Sequence, residues 1–351
     1  VQKGNTAPAP KYFAYVANSG GDNNISAYSI NPSTGVLTEI KGSPFPAGID
    51  PISMAVHPNG KYIYAVNYES HNISAYFINP LTGALSPVKG SPFLINAGAP
   101  VLLKIAPSGK FLYTANIDGY ISIYKVNAKT GILTVIKGSP FHIQNKISDM
   151  AFAPTGKLAL IINHSRNSVI SYYINDKTGR FTRVKETSIK SGKNPNFITI
   201  DPTGKFAFVS NSDSGNLSVY SINTKKGILS EIKGSPFNVG RLNDFIFARK
   251  FAYILRLNII DAYYFDQTTS SLTTIKDGCY GFSDSNWLTS LAVDPNHKFL
   301  YAINSRIDFV PNSFNAIYAY SINPTTGKLT EIMESPFDTG DHPGQIIIVE
   351  K

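Results

Sequence analysis

The sequence contains little of several features that would narrow its function early. It has one cysteine in 351 residues, so Cys279 forms no internal disulfide, and no paired Cys and His spacing predicts a zinc site. No apolar run approaches the roughly 20 residues of a membrane helix. Helical spacing, glycine-rich phosphate loops and nucleophile-elbow motifs are also lacking. These absences favour a globular β-structured chain for which no cofactor and no metal are predicted.

What the sequence does contain is a long repeat. One turn glycine recurs every 48 residues, at Gly35, Gly83, Gly131, Gly179 and Gly227, and the same position recurs more loosely at Ser271 and Gly327. In residues 61–93 the runs YIYAV and ISAYFI are β-branched or alternating, with polar connections between them, which is typical of short antiparallel strands. A fixed period of this size predicts a repeat architecture.

Each repeat predicts a four-stranded antiparallel sheet, which is too small to bury both of its faces alone. A radial arrangement buries them and removes long exposed edges, so we expect an all-β propeller. Second strands are predicted to start at Tyr12, Tyr62, Phe111, Leu158, Phe206, Phe251 and Phe299, which gives seven blades. The C-terminal run in residues 345–350 fits an innermost strand, and we expect it to pair beside residues 12–17 and close the ring within the first blade.

The polar, proline-bearing residues 1–10 predict an N-terminal tether ahead of a single propeller at 11–351. Because the chain begins with Val1 rather than methionine, we expect that a preceding segment was removed. With so little cysteine, this favours a bacterial extracytoplasmic protein, periplasmic or secreted, and the cytoplasm is the alternative. We expect a monomer.

Recurrent motifs resemble a known family. YVAN at 15–18, ISAYSIN at 25–31, the TGxL turns and the PxxxAVxPxGK pattern at 51–61 are similar to the lactonase family of seven-bladed propellers. That family includes bacterial 6-phosphogluconolactonase and fungal carboxymuconate-cyclising enzymes, and it is close to the YVTN repeats of surface-layer proteins. The resemblance covers residues 12–349 and implies the same fold.

The family carries a Gly-Pro-Arg-His run at the channel mouth and an Asn-Glu pair nearby. At the matching positions this chain has Asn196 for the arginine, Phe197 for the histidine and Ser212 for the glutamate, and 101–103 reads Val-Leu-Leu where a histidine pair is expected. Lactone opening needs an acid, a base and a cation. The resemblance therefore implies a ligand- or partner-binding propeller that has not retained the family's catalytic residues. A divergent lactone hydrolase or cyclase is the alternative.

Other polar residues occupy the predicted channel mouth. Asp149 and Asp244 stand at the position of Ser53 in the repeat, Asn196 stands one position earlier, and Arg256 replaces a recurrent asparagine. These residues predict a ligand site at the mouth, and a structural ion pair or a solvated channel lining is the alternative.

Two insertions, residues 277–287 and 305–314, enlarge the face that carries the loops between second and third strands, which we call the loop face. They bring Tyr280, Trp287, Arg306 and Phe309 to one side of it. Aromatic rings with an arginine suit sugar stacking or a protein hot spot. The alternative is that the rings pack on one another.

The net charge of +9 is spread around the repeat. Lysines recur at two turns of each unit and form two rings rather than a stripe with interleaved aromatics, so no nucleic-acid partner is predicted. A small-molecule, carbohydrate or protein ligand on the loop face is expected, and attraction to an anionic surface or polysaccharide stays open.

Overall fold

The chain folds into seven antiparallel sheets arranged radially as blades. The computed structural model describes residues 12–143, 146–282, 287–306 and 314–351, and the predicted tether lies outside these ranges. All seven second strands start at the predicted residues, so the period and the number of blades are confirmed.

The blades are numbered in the order of their second strands. The innermost strands of blades 1 to 7 are Pro343–Glu350, Pro51–Val56, Pro100–Ile105, Ile147–Phe152, Pro195–Ile200, Asp244–Ala248 and Trp287–Val293. The second strands are Tyr12–Asn18, Tyr62–Asn67, Phe111–Asn116, Leu158–Asn163, Phe206–Asn211, Phe251–Arg256 and Phe299–Ser305. The third strands are Asn24–Ile30, Asn72–Ile78, Tyr120–Val126, Ser168–Ile174, Asn216–Asn223, Ile259–Asp266 and Ala316–Ile322. A short 3-10 helix, His164–Arg166, follows the second strand of blade 4.

The outer strand is continuous in two blades and divided in five. Blades 4 and 6 have the unbroken strands Phe181–Lys190 and Ser271–Gly281. The divided strands are Leu37–Glu39 with Phe45–Pro46, Leu85–Pro87 with Phe93–Leu94, Leu133–Val135 with Phe141–His142, Ile228–Glu231 with Phe237–Asn238, and Leu329–Glu331 with Phe337–Asp338. The recurrent Ser-Pro pair lies in each break, and its hydroxyl replaces a backbone acceptor: Ser91 Oγ accepts from the Ala75 amide at 2.9 Å. Blades 4 and 6 lack this pair and keep the ladder continuous.

The apolar core lies between blades rather than within them. Seven clusters of buried side chains occupy the seven interfaces between neighbouring blades in the described residues. At five interfaces a buried tyrosine hydroxyl also donates to the carbonyl oxygen of the recurrent glycine of the next blade, at 2.7 to 3.0 Å. The pairs are Tyr15–Gly83, Tyr64–Gly131, Tyr113–Gly179, Tyr253–Gly327 and Tyr301–Gly35.

These contacts give the 48-residue glycine its physical reason. Gly35 has a φ of +77°, and a Cβ there would lie 2.5 Å from Phe299 Cδ1 of the neighbouring blade. Only glycine combines the left-handed backbone with so close an approach of the next blade.

The predicted closure of the ring is confirmed. Pro343–Glu350 pairs antiparallel with Tyr12–Asn18, so both ends of the described chain build blade 1. Ile346 lies in the core shared by blades 7 and 1, and Val349 lies in the core shared by blades 1 and 2. The last strand is therefore held by two interfaces and one hydrogen-bonded edge.

Candidate functional site at the channel mouth and on the loop face

Four side chains at equivalent positions of the innermost strands connect neighbouring blades. Each accepts a hydrogen bond from a backbone amide of the next innermost strand, and we call these four the brace residues. The bonds run from Met54 N to Gln345 Oε1 at 2.5 Å, Leu103 N to Ser53 Oγ at 3.3 Å, Ile198 N to Asp149 Oδ2 at 3.0 Å, and Leu291 N to Asp244 Oδ2 at 2.7 Å. They satisfy amides at the channel end of the sheets, where no further strand can pair.

The two aspartates have a second structural task. The equivalent positions in the preceding blades are Leu102 and Phe197, which offer no acceptor. Asp149 Oδ1 accepts from its own neighbour Met150 at 2.8 Å, and Asp244 does the same for Phe245 at 2.7 Å. A carboxylate has two oxygens and so serves the amide on each side of the gap. Where the preceding blade has Leu102 or Phe197 at this position and offers no acceptor, the aspartate of the next blade supplies the acceptor that is lacking.

Lys104 is the cation of the channel. Its Nζ lies 3.2 Å from Asp149 Oδ1, with the lysine side chain 32% exposed and the aspartate 5% exposed. It also attracts the carboxylate of Asp244. The equivalent residues in three other blades are Ala55, Ala151 and Ala292, so this lysine stands out within its register.

Burial raises the pKa of Asp244 to about 6, although the amides of Leu291 and Phe245, the Ser290 hydroxyl and Lys104 favour the charged form. The carboxyl group of Asp244 therefore titrates close to neutrality.

This raised pKa predicts a pH-dependent stability. Between pH 3.8 and about 6 the folded protein binds more protons at Asp244 than the unfolded chain does, so the stability it contributes falls as pH rises. Thermal melts of the native chain and of Asp244→Asn, compared from about pH 4 to about pH 7, measure this. We expect the native advantage in Tm to be largest at the acid end and to shrink through about pH 6. An advantage that grows with pH over this range would contradict the assignment.

The residues at the family's catalytic positions make local contacts. Asn196 Oδ1 accepts from Ser210 Oγ at 2.5 Å, and that hydroxyl in turn accepts from the Phe197 amide at 3.0 Å. Phe197 packs against the core between blades 5 and 6, and Ser212 is buried. Among the four predicted mouth residues, the Nε atom of Arg256 is buried and has no hydrogen-bond partner within the described residues.

Arg256 does not join the two aspartates of the mouth. Its guanidinium lies 2.5 Å from Asp261 Oδ2, on the third strand of its own blade. Two separate ion pairs form in place of the single predicted group. Lys104 pairs with Asp149 in the channel, and Arg256 pairs with Asp261 in blade 6. The ligand role of these residues stays a prediction.

The first insertion places its aromatic rings in two environments. The Tyr280 hydroxyl accepts from the Leu329 amide at 2.7 Å, and Phe282 packs edge-on against Tyr318 at 4.7 Å, so both rings fill the space between blades 6 and 7. Trp287, at the start of an innermost strand, is 49% exposed on the loop face. Tyr280 is therefore part of the packing between blades 6 and 7, whereas Trp287 stays accessible to solvent.

Arg306 contacts the segment that leads into the closing strand of blade 1. Its Nε is 3.3 Å from Asp341 Oδ1, and Asn315 Nδ2 donates to the same carboxylate oxygen at 3.0 Å. The Asp341 amide bonds Asp22 Oδ2 at 2.7 Å, which connects this group to blade 1. Phe309 lies outside the described residues.

A pocket of about 440 Å³ opens between blades 3 and 4 on the loop face, and we call it the loop-face pocket. Its lining residues are Ile117, Asp118, His142, Lys146, Asn163, Ser165 and Arg166. The sequence did not single out these residues, because they come from two repeats and carry no motif together. For Lys104 a signal existed, since it is a charged residue in a register that is uncharged in the other six blades.

The fold and the comparisons together define the class of protein. The family described as "Lactonase, 7-bladed beta-propeller" matches residues 9–104 and 134–247, and the chain belongs to this family. No curated protein shows a significant sequence match.

Solved structures of the same fold include proteins from several bacteria. A candidate 6-phosphogluconolactonase from Bacteroides fragilis is 20% identical, with a TM-score of 0.78 over 98% of this chain and 99% of the other. The periplasmic gluconolactonase of Pseudomonas aeruginosa is 15% identical, with a TM-score of 0.78 over 96% and 99%. A protein of unknown function from Desulfotomaculum acetoxidans is 16% identical, with a TM-score of 0.70 over 95% and 99%. At this identity the likeness concerns the fold.

No helix among the described residues has the length and apolar composition needed to cross a membrane. In the same part of the chain, His, Cys, Asp and Glu side chains form no group of three arranged to hold a metal ion.

Proposed function

We propose that this protein is a ligand-binding member of the lactonase-type propellers and that it holds a small molecule on its loop face. One observation carries the proposal: the channel carboxylates, Asp149 and Asp244, are engaged by backbone amides on both sides, whereas Lys146 and Arg166 of the loop-face pocket are exposed and form no ion pair within the described residues. Carboxylates used to brace two strands are poorly placed to accept a proton from water. Binding on the loop face requires no change in these braces.

The proposal is tested by thermal shift and calorimetry with a panel of monosaccharides, sugar acids and lactones, alongside a pH-drift assay of lactone hydrolysis. A ligand that binds only the folded state stabilises it by about 2.7 kcal/mol at one hundred times its dissociation constant. We expect saturable binding and no turnover above the spontaneous rate. If no member of the panel binds, the proposal fails.

A second function, lactone hydrolysis in the channel, is favoured by Lys104 together with Asp244. In that reaction the Asp244 carboxylate takes a proton from water, whose oxygen attacks the lactone carbonyl carbon while Lys104 holds the developing oxyanion. The ring C–O bond then breaks, and the leaving oxygen receives the proton from Asp244. The pKa of about 6 suits a carboxyl group that exchanges a proton near neutrality.

Lys104→Met separates the two functions, because it removes the cation and leaves every brace hydrogen bond in place. Hydrolysis that is present in the native chain and falls by two orders of magnitude or more in Lys104→Met would establish the enzyme. The thermal melt of the same variant serves as the control for folding.

A further inference from the structure

The loop-face pocket has one wall in each of two neighbouring blades. The wall from blade 4 contains Lys146, the end of the second strand at Asn163, and the 3-10 helix with Ser165 and Arg166. The His164 amide donates to the Lys146 carbonyl at 2.9 Å, and the helix ends at Asn167 in the left-handed conformation. This hydrogen bond connects the backbone of Lys146 to the first residue of the helix that carries Arg166.

The wall from blade 3 is partly apolar. His142 Nε2 donates to the Asp118 carbonyl oxygen at 3.2 Å, and the imidazole lies 4.5 Å from the ring of Tyr120, between centroids. Ile117 is 47% exposed beside them. A layer of this kind suits the apolar face of a ring-shaped ligand.

The charges of the pocket are not compensated locally. Lys146, Arg166 and Asp118 are exposed, and none of them forms an ion pair with another residue in the described ranges. The Lys, Arg and Asp side chains of the lining sum to one net positive charge. This balance suits a ligand with one negative charge, whereas a dianion would leave surplus negative charge beside Asp118.

We propose that the loop-face pocket binds a sugar that carries one carboxylate, an inference that rests on the proposed ligand-binding function and specifies its ligand. The pocket is an open depression of about 440 Å³, which is large enough for one sugar ring. The planar guanidinium of Arg166 matches a carboxylate, and Lys146 adds a second cationic donor. Ile117 and the ring of His142 receive the sugar ring, and the exposed Ser165 lies within the same lining for its hydroxyl groups.

Three sugars with one ring in common test the inference: galacturonate, galactose and galactose 6-phosphate, titrated calorimetrically into the full chain. We expect galacturonate to bind at least about tenfold more tightly than either of the others. In Lys146→Gln/Arg166→Gln we expect its affinity to fall by at least about tenfold. The control Lys157→Gln/Lys177→Gln removes the same charge from exposed turns of blade 4 on the opposite face, and we expect a change below about twofold.

The outcomes separate this inference from the function on which it rests. Stronger binding of galactose or galactose 6-phosphate, or galacturonate binding that survives the pocket substitutions, overturns the carboxylated-sugar site and leaves ligand binding intact. The same holds if all three sugars fail to bind while a member of the wider panel that carries no carboxylate binds. Failure of the whole panel overturns both.

Discussion

Removal of residues 343–351 is expected to abolish the cooperative unfolding transition or to lower Tm by more than about 10 °C. The truncation exposes the backbone edge of Tyr12–Asn18, a strand whose seven residues are all buried. It also takes Ile346 and Val349, each 2% exposed, from two interblade cores. Burial of each is worth about 2 kcal/mol, and the lost ladder adds to this, against a typical total of about 5–15 kcal/mol. Far-ultraviolet circular dichroism on heating measures the loss.

Two controls separate ring opening from simple shortening. Removal of Lys351 alone, an exposed residue beyond the strand, should leave the melt unchanged. A synthetic peptide of residues 343–351 added to the truncated chain should restore the transition, because it can add to the free edge as a strand, whereas a scrambled peptide should not. A truncated chain that melts within a few degrees of the full chain would show that the closure is dispensable.

Asp149→Ala is expected to destabilise the protein by about 3 kcal/mol, because the amides of Met150 and Ile198 lose their acceptor and Lys104 loses its partner. For a chain of this length that corresponds to a fall in Tm of roughly 4 °C. Thermal and urea unfolding measure it, and the effect should be the same with and without ligands of the loop face.

Two further variants show how much of the stability lost in Asp149→Ala comes from the amide hydrogen bonds and how much from the ion pair with Lys104. Asp149→Asn keeps one acceptor oxygen and should lose less stability than the alanine variant. Lys104→Met should cost less than about 1 kcal/mol, since the lysine is 32% exposed and both amides keep their acceptor. An alanine variant as stable as the native chain, or a larger loss from Lys104→Met, would show that the aspartate does not brace the blades.

Much of the fold follows from local rules that repeat. Turn glycines 48 residues apart, alternating strands and polar connections are each determined by a few neighbouring residues, and seven copies make the reading robust. The closing strand was predictable because residues 345–350 have the pattern of an innermost strand that lacks its own blade. The repeated Ser-Pro-Phe pattern did not reveal the division of the outer strands, because a hydroxyl that replaces a carbonyl in a ladder is visible only in three dimensions.

The candidate sites divide in the same way. The sequence alone assigned Asp149, Asp244 and Asn196 to innermost strands, because position within a repeat maps directly onto position in the blade. The partners were decided by the tertiary structure: Asp149 meets Lys104, Arg256 meets Asp261, and Arg306 meets Asp341. The repeat period and the strand positions follow from residues that are close in the sequence. Ion pairs, brace hydrogen bonds and the loop-face pocket depend instead on how close side chains of different strands or blades come to one another.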